Sequence, residues 1–321
     1  MIIKIKRRFV DYFLAFSYLL FFLIVTIVSI SFDSTDVIGA NISNQSVVAR
    51  VNVTGTEPYL YRVYFDTVTP IDLGASSVTI VTCNGSFFDL NGFEDVKNVT
   101  GIFYENKSGV FATDDANSHY TNFSCGNCTV IPNSGGNNGT CSCQFPVQYF
   151  ANPGLWQCNM TINDSTGFIS SANSTYAEVH EVLGISVRSQ VLDYGNLSVS
   201  QVSPYVQQNI TNGGNMPINI SVRGFGGDVE SVGTNLSMIC EFGGNISNGY
   251  QRYSNTNQTA YDLMTNLTNQ SRQLNLTLPQ RTDDLSTDNS TNTSFWKLQV
   301  PFGVGGICNG TIIFKAIDTT P

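Results

Sequence analysis

Charge is scarce in this sequence. Of 321 residues, 15 are Lys or Arg and 24 are Asp or Glu, so only 12% are charged and the formal net charge is −9. A nucleic-acid surface needs clustered Lys and Arg to neutralise phosphates, and this acidic chain offers no such cluster in its body. Histidine is scarcer still. His119 and His180 stand apart from each other and from any nucleophile motif, and both read as surface or packing residues. No G-x-S-x-G elbow, H-E-x-x-H pair or phosphate-cradling loop is present. The cluster Gly303-Val304-Gly305-Gly306 reads as a hairpin turn, and Asp114-Asp115 and Asp283-Asp284 as solvated loop charges. A glycosidase would need two carboxylates facing each other across a substrate, and the spacing specifies no such pair. A non-enzymatic chain is expected, without nucleic acid as a partner.

The basic residues that do cluster, Lys4, Lys6, Arg7 and Arg8, precede a charge-free and mostly apolar run over 12–32. Roughly twenty such residues suffice to span a bilayer as a helix. The basic flank keeps the N-terminus cytoplasmic and sends the rest outside. A signal-peptide core is usually about 7–15 residues long. The longer run, with its small-residue exit delayed to Gly39-Ala40, predicts an uncleaved anchor over 1–33, single-pass in the cell membrane. Secretion after cleavage is the alternative. No apolar tail lies near Pro321, so membrane attachment is expected through the N-terminus alone.

Asparagine is abundant, and about three in four asparagines sit in the N-x-[ST] acceptor pattern of N-glycosylation. Ser and Thr make up about a fifth of the chain, so chance would place about one in five there. The acceptor pattern also coincides with half-buried strands. In Cys158-Asn159-Met160-Thr161-Ile162, period-2 geometry turns Cys158, Met160 and Ile162 inward and leaves Asn159 and Thr161 on the wet face. The same arrangement surrounds Asn52, Asn219 and Asn275, and Asn98 is a further candidate. Sugars on outer faces would also discourage sheet-to-sheet aggregation.

Period-2 segments punctuated by turn residues predict strands at 47–53, 59–65, 77–83, 96–104, 140–149 and 154–163. Turns are expected at Asn84-Gly85, Asn91-Gly92 and 164–167. A second set follows at 191–194, 206–211, 218–224, 236–241, 274–278, 295–301 and 310–316, with a weak helix over 260–273. The expected organisation is all-β: an anchor (1–33), a stalk (34–57), a sandwich with a stapled hairpin (58–180) and a second sandwich (181–321).

Eight cysteines, all beyond the leader and even in number, agree with export to an oxidising compartment. Cys83 ends one strand and Cys158 follows Trp156, which suits a cross-core Cys83–Cys158 disulfide in an immunoglobulin-like sandwich. In antibody domains the core Trp lies on a different strand, so the likeness is partial. Trp156 shares the face of Cys158 and reads as core. Cys125 with Cys143 and Cys128 with Cys141 have summed positions equal to within one residue, as antiparallel partners do if a bulge absorbs the difference. Two nested disulfides are expected, and a four-thiolate zinc site is the alternative. Cys240 and Cys308, alone in the second half, are expected to pair.

The segment Asp89-Leu90-Asn91-Gly92-Phe93-Glu94-Asp95 gathers oxygen donors around a sharp turn. Asp89, Asn91 and Asp95 are therefore candidates for a structural calcium ion, against the default of a solvated turn. No other cofactor is indicated. Tyr59, Tyr61, Tyr64 and Phe65 form a dense aromatic patch, read as core and edge packing with partner or sugar binding as the alternative.

The run Gly154-Leu155-Trp156-Gln157-Cys158-Asn159-Met160-Thr161-Ile162-Asn163-Asp164 resembles the final strand of Ig-like domains in archaeal cell-surface glycoproteins, with their G-x-W-x-C-x-[VM]-x-[VI]-x-D pattern. Asp89 to Asp95 resembles the D-x-N-G turn of such domains. Leu192-Asp193-Tyr194-Gly195, followed by Asn209 to Asn215, resembles the L-D-F-G…N-T-G-N signature of another extracellular sandwich module. The resemblance implies an Ig-like fold at a cell surface and supplies no catalytic residue. The extra cysteines of the 125–143 hairpin depart from it. A structural or adhesive role follows as the expectation, with envelope proteins or glycans as partners. A carbohydrate- or peptide-binding module is the alternative, and an extracellular hydrolase a more remote one.

Overall fold

The structure, a computed structural model, describes residues 47–67 and 69–319. The leader and most of the stalk lie outside the described residues. Among the described residues no helix is long and apolar enough to cross a membrane. The strand expected at 47–53 is not formed. Val47, Val48, Val51 and Val53 are exposed, and no ladder pairs them. Alternation alone does not make a strand where no edge accepts its backbone groups.

Nine strands come first in chain order: β1 (Tyr59–Phe65), β2 (Val78–Phe88), β3 (Val96–Glu105), β4 (His119–Asn122), β5 (Gly126–Val130), β6 (Asn138–Gln148), β7 (Gly154–Asp164), β8 (Ile169–Asn173) and β9 (Ala177–Val179). They form two antiparallel sheets, β1-β2-β6-β5 and β4-β3-β7-β8, with β9 beside β7. Alternate residues of these strands face a shared interior. Cys158, Met160 and Ile162 are fully buried, while Asn159 and Thr161 retain contact with solvent. Phe103 stacks on Trp156 with ring centroids 4.6 Å apart, and the Trp156 indole N–H donates to the Asn152 carbonyl at 2.8 Å. A buried Trp needs that partner for its one polar atom.

Ten further strands follow: β10 (Ile185–Val187), β11 (Val206–Asn212), β12 (Ile218–Gly226), β13 (Leu236–Gly243), β14 (Ile246–Ser247), β15 (Gln251–Ser254), β16 (Thr265–Asn266), β17 (Arg272–Leu278), β18 (Thr291–Leu298) and β19 (Val304–Asp318). Their sheets are β10-β11-β18-β15-β16 and β14-β13-β19-β12-β17. Trp296, Tyr253, Ile210, Ile218, Ile220 and Leu276 centre the second apolar cluster. The two main clusters draw on 60–182 and on 185–316 respectively, within the compact unit Gly55–Pro321.

Three local expectations fail for physical reasons. Asn84-Gly85 is no turn, because β2 runs straight through it. A Cβ on Gly85 would meet the Met160 side chain at 2.9 Å, so the glycine serves close sheet-to-sheet approach. The segment 191–194 is not a strand. Leu192 and Tyr194 pack on the core as the alternation requires, but no backbone ladder accompanies them. The stretch 260–273 holds one short 3-10 turn (Tyr261–Leu263), then β16 and the start of β17, in place of a helix. Its Thr and Asn residues carry too little helix propensity to resist strand pairing.

Four disulfides staple the sheets. Cys83 of β2 and Cys158 of β7, both fully buried, join the two facing sheets with Cα atoms 6.5 Å apart. Cys125–Cys143 and Cys128–Cys141 close the β5–β6 hairpin at 4.6 and 4.0 Å, and a bulge between Gly126 and Thr129 takes up the odd residue. With these sulfurs paired, no thiolate set remains for tetrahedral zinc. Cys240 and Cys308 lie directly opposite in the β13–β19 ladder, 4.0 Å apart.

The connection between the two clusters is clamped by Asn212-Gly213-Gly214-Asn215. Asn215 is fully buried. Its Oδ1 accepts from the Val182 N–H at 2.6 Å and its Nδ2 donates to the His180 carbonyl at 2.9 Å. The Gly213 N–H donates to the Gly184 carbonyl at 2.8 Å, and a Cβ on Gly214 would sit 2.0 Å from the Val182 oxygen, which only glycine avoids. Asn215→Ala would remove the partners of two part-buried backbone groups, and we expect it to cost about 1 kcal/mol, read as a drop of a few degrees in a thermal melt. Replacing both Cys83 and Cys158 by Ala frees a 75-residue separation in the unfolded chain, and denaturant unfolding should report a loss of about 4–5 kcal/mol in the chain-entropy treatment.

Candidate functional site

The N-x-[ST] asparagines keep some contact with solvent, although the Oδ1 of Asn163 is itself buried. Among the described residues none of them is buried. Asn52, Asn98 and Asn275 are exposed, and Asn159 and Asn219 lie half-exposed on outer strand faces. The buried asparagines are Asn117, Asn212, Asn215 and Asn248, and every one lies outside the acceptor pattern. Three of them carry structural hydrogen bonds; Asn117, for example, donates to the Phe150 and Arg281 carbonyls at 2.9 and 2.8 Å. Asn275 occupies a left-handed backbone position (φ 53°) where β17 bulges against β12, which turns its side chain outward between buried Leu274 and Leu276. Asn159 bonds sideways to Asn173 Oδ1 (2.8 Å) and Ser171 Oγ (3.1 Å), joining polar side chains on the outer faces of β7 and β8.

The aromatic patch divides. Tyr59 and Tyr61 stand 64% and 45% exposed on edge strand β1 with ring centroids 6.3 Å apart, while Phe65 packs edge-on against Phe103. The Arg62 guanidinium sits 4.3 Å over the Tyr64 ring. Both tryptophans are fully buried and present no platform. His119 is buried and bonded through Nδ1 to Asp114 at 2.8 Å, and His180 pairs with Asp72 at 2.9 Å, so the two histidines serve separate local contacts.

The acidic turn closes into a cluster. Asp89 directly follows β2, Asp95 precedes β3, and Asp164 ends β7, which pairs with β3 so that Val96 faces Asp164. One carboxylate oxygen from each of the three lies within 4.8 Å of the others. The Asn91 Oδ1 accepts from the N–H and hydroxyl of Thr56 at 2.7 and 2.6 Å. Its backbone N–H instead donates to Asp89 Oδ1 at 2.8 Å. Asp164, which the local composition around 89–95 could not name, is the third carboxylate of the cluster. Asp164 Oδ1 accepts from the N–H groups of Thr166 and Phe168 at 2.9 and 2.8 Å, and the Ser165 hydroxyl donates to Asp95 Oδ1.

These surroundings shift the proton affinities of Asp89 and Asp164 in opposite directions. Burial, with the charges of Asp95 and Asp164 adding to it, holds Asp89 above the usual carboxylate range against the opposing Asn91 N–H. Burial acts on Asp164 in the same direction, but donors from Phe168, Thr166 and Gly167 outweigh it and hold this carboxyl below its ordinary value. Among the described residues no Lys, Arg or His pairs with any of the three. Asp89 is fully buried, so the cluster offers no open cleft to a substrate.

No protein-family model matches the chain, and no curated protein matches it in sequence. Among solved structures, one on the promiscuous specificity of carbohydrate-binding modules of the β-sandwich superfamily overlaps 83% of this chain and 99% of its own, at 11% identity and a TM-score of 0.24. A chaperone–tip adhesin complex of CFA/I fimbriae overlaps 81% and 85%, at 8% identity and a TM-score of 0.29. The C-terminal domain of the antigen I/II polypeptide BspA of Streptococcus agalactiae overlaps 82% and 100%, at 8% identity and a TM-score of 0.20. Overlaps this loose carry no argument about function. The chain stands on its own geometry as an all-β protein of sandwich-like, disulfide-bonded sheets.

Proposed function

We propose that this chain is a non-enzymatic extracellular glycoprotein with a structural or adhesive role, its two apolar clusters each an Ig-like sandwich and its N-terminal run over 12–32 a membrane tether. The observation that carries this reading is the segregation of asparagine. Acceptor-pattern asparagines are kept out of the core, and those that build the core are kept out of the pattern. A sequence merely rich in Asn and Thr would have no reason to sort them so. Four disulfides fit the oxidising compartment in which such sugars are displayed. A dense sugar coat on outer strand faces would shield the sheets from one another and leave contact to uncoated edges.

A second reading, capture of a carbohydrate or peptide, is favoured by the exposed Tyr59–Tyr61 pair on edge strand β1. Two adjacent rings can stack on a sugar or flank an added strand.

Glycopeptide mass spectrometry on the protein purified from its native source tests the first reading. Sugar on Asn98, Asn159, Asn219 and Asn275 is expected, together with an intact mass well above the 35.0 kDa of the polypeptide. A bare polypeptide mass would contradict it. A glycan and peptide array probed with the wild-type chain and with Y59A/Y61A decides the second: retention lost in the variant would establish capture, and no retention by either would leave the structural role.

A further inference from the structure

We propose that Asp89, Asp95 and Asp164 hold one calcium ion that clips the two sheets of the first sandwich together. Clustered acidic residues alone do not make a site; what marks this one is its unanswered oxygens. Asp89 is 0% exposed, and its Oδ2 has no hydrogen-bond donor. Asp95 Oδ2 is likewise buried and without a donor. The partner oxygens are accounted for: Asn91 N–H occupies Asp89 Oδ1, and the Ser165 hydroxyl occupies Asp95 Oδ1. The two free oxygens thus belong to carboxylates that converge on each other and on Asp164. A buried acceptor left without a donor is costly, and a second negative charge beside it more so. A cation among them removes both costs.

The chemistry of the donors selects the ion. All three are hard carboxylate oxygens, with no nitrogen or sulfur in the set, which disfavours zinc and copper. Calcium–oxygen distances of about 2.3–2.6 Å place ligand oxygens up to about 5 Å apart across the ion, and the three here fall within 4.8 Å. Calcium tolerates irregular geometry and completes its shell with carbonyls and water, whereas magnesium demands a near-ideal octahedron. The turns that carry the ligands are already tied, since the Ser165 N–H donates to the Asp95 carbonyl at 2.8 Å and the Asp89 N–H to that of Asn137 at 2.8 Å. Asp89 directly follows β2 of the β1-β2-β6-β5 sheet, while Asp95 precedes β3 and Asp164 ends β7 in the other. The ion would therefore repeat, at the end of the sandwich, the cross-sheet link that Cys83–Cys158 makes farther along the same strands.

The test uses the full chain, stripped with chelator and dialysed, then titrated with calcium chloride or magnesium chloride at constant ionic strength. Calorimetry should report one calcium per chain, and the melting temperature should climb with calcium as mass action requires. D89N and D95N, neither of which creates an N-x-[ST] pattern, should each weaken calcium binding about tenfold or more and flatten the calcium-dependent rise. D95N serves if D89N fails to fold, and circular dichroism checks both. The competing account is a protonated Asp89 that neutralises the cluster by itself. It requires no calcium heat, no shift in melting temperature and a D89N chain that melts like wild type; that result would overturn the proposal. So would equal responses to calcium and magnesium, or a calcium response that both variants keep.

Discussion

Two facing sheets must bury alternate residues of the same strands, and everything else in the first half of the chain is arranged around that demand. Cys83 and Cys158 sit at its centre. Their disulfide passes from one sheet to the other through a zone where Trp156, Phe103, Phe145 and Met160 are all buried. Because side chains alternate along a strand, fixing Cys158 inward fixes Met160 and Ile162 inward and turns Asn159 and Thr161 outward. A one-residue slip would expose the core and bury the acceptor asparagines. Register, staple and outer polar face are thus one constraint seen from three sides.

The second half solves the same problem with a different staple. Cys240–Cys308 joins neighbouring strands of one sheet, so the packing around Trp296 must hold the facing sheets together. Tyr253 and Phe314 close on that indole, and its N–H is satisfied by Ser294 at 2.9 Å. Between the halves the Asn212–Asn215 segment grips the connecting chain through backbone groups, which explains why a stretch so rich in Gly and Asn is buried.

Much of this was legible in the sequence, and the failures have causes. Strand β1 matches its expected limits although a bulge between Leu60 and Arg62 breaks its alternation, because its run of aromatic and branched residues favours extended pairing. The cross-strand cysteines of the hairpin could be matched by position because antiparallel pairing conserves summed numbers, given one bulge. Asn84-Gly85 misled because a glycine that permits close sheet approach looks locally like a turn glycine. The strand at 47–53 misled because a period-2 pattern does not reveal whether a partner edge exists. Asp164 was missed as a member of the acidic cluster for a related reason. It is distant from Asp95 along the chain, and only the β3–β7 pairing brings the two turns together. Nothing in composition reports that pairing, although both turns were visible separately.

The account as a whole depends on the inward face being the one that carries Cys83 and Cys158. Non-reducing peptide mapping of protein purified under alkylating conditions measures this directly. The account requires Cys83 and Cys158 to be recovered in one linked peptide pair, with Cys240 joined to Cys308 and the remaining four paired within the hairpin. Alkylated free thiols at Cys83 or Cys158, or a bridge from either to another cysteine, would contradict it.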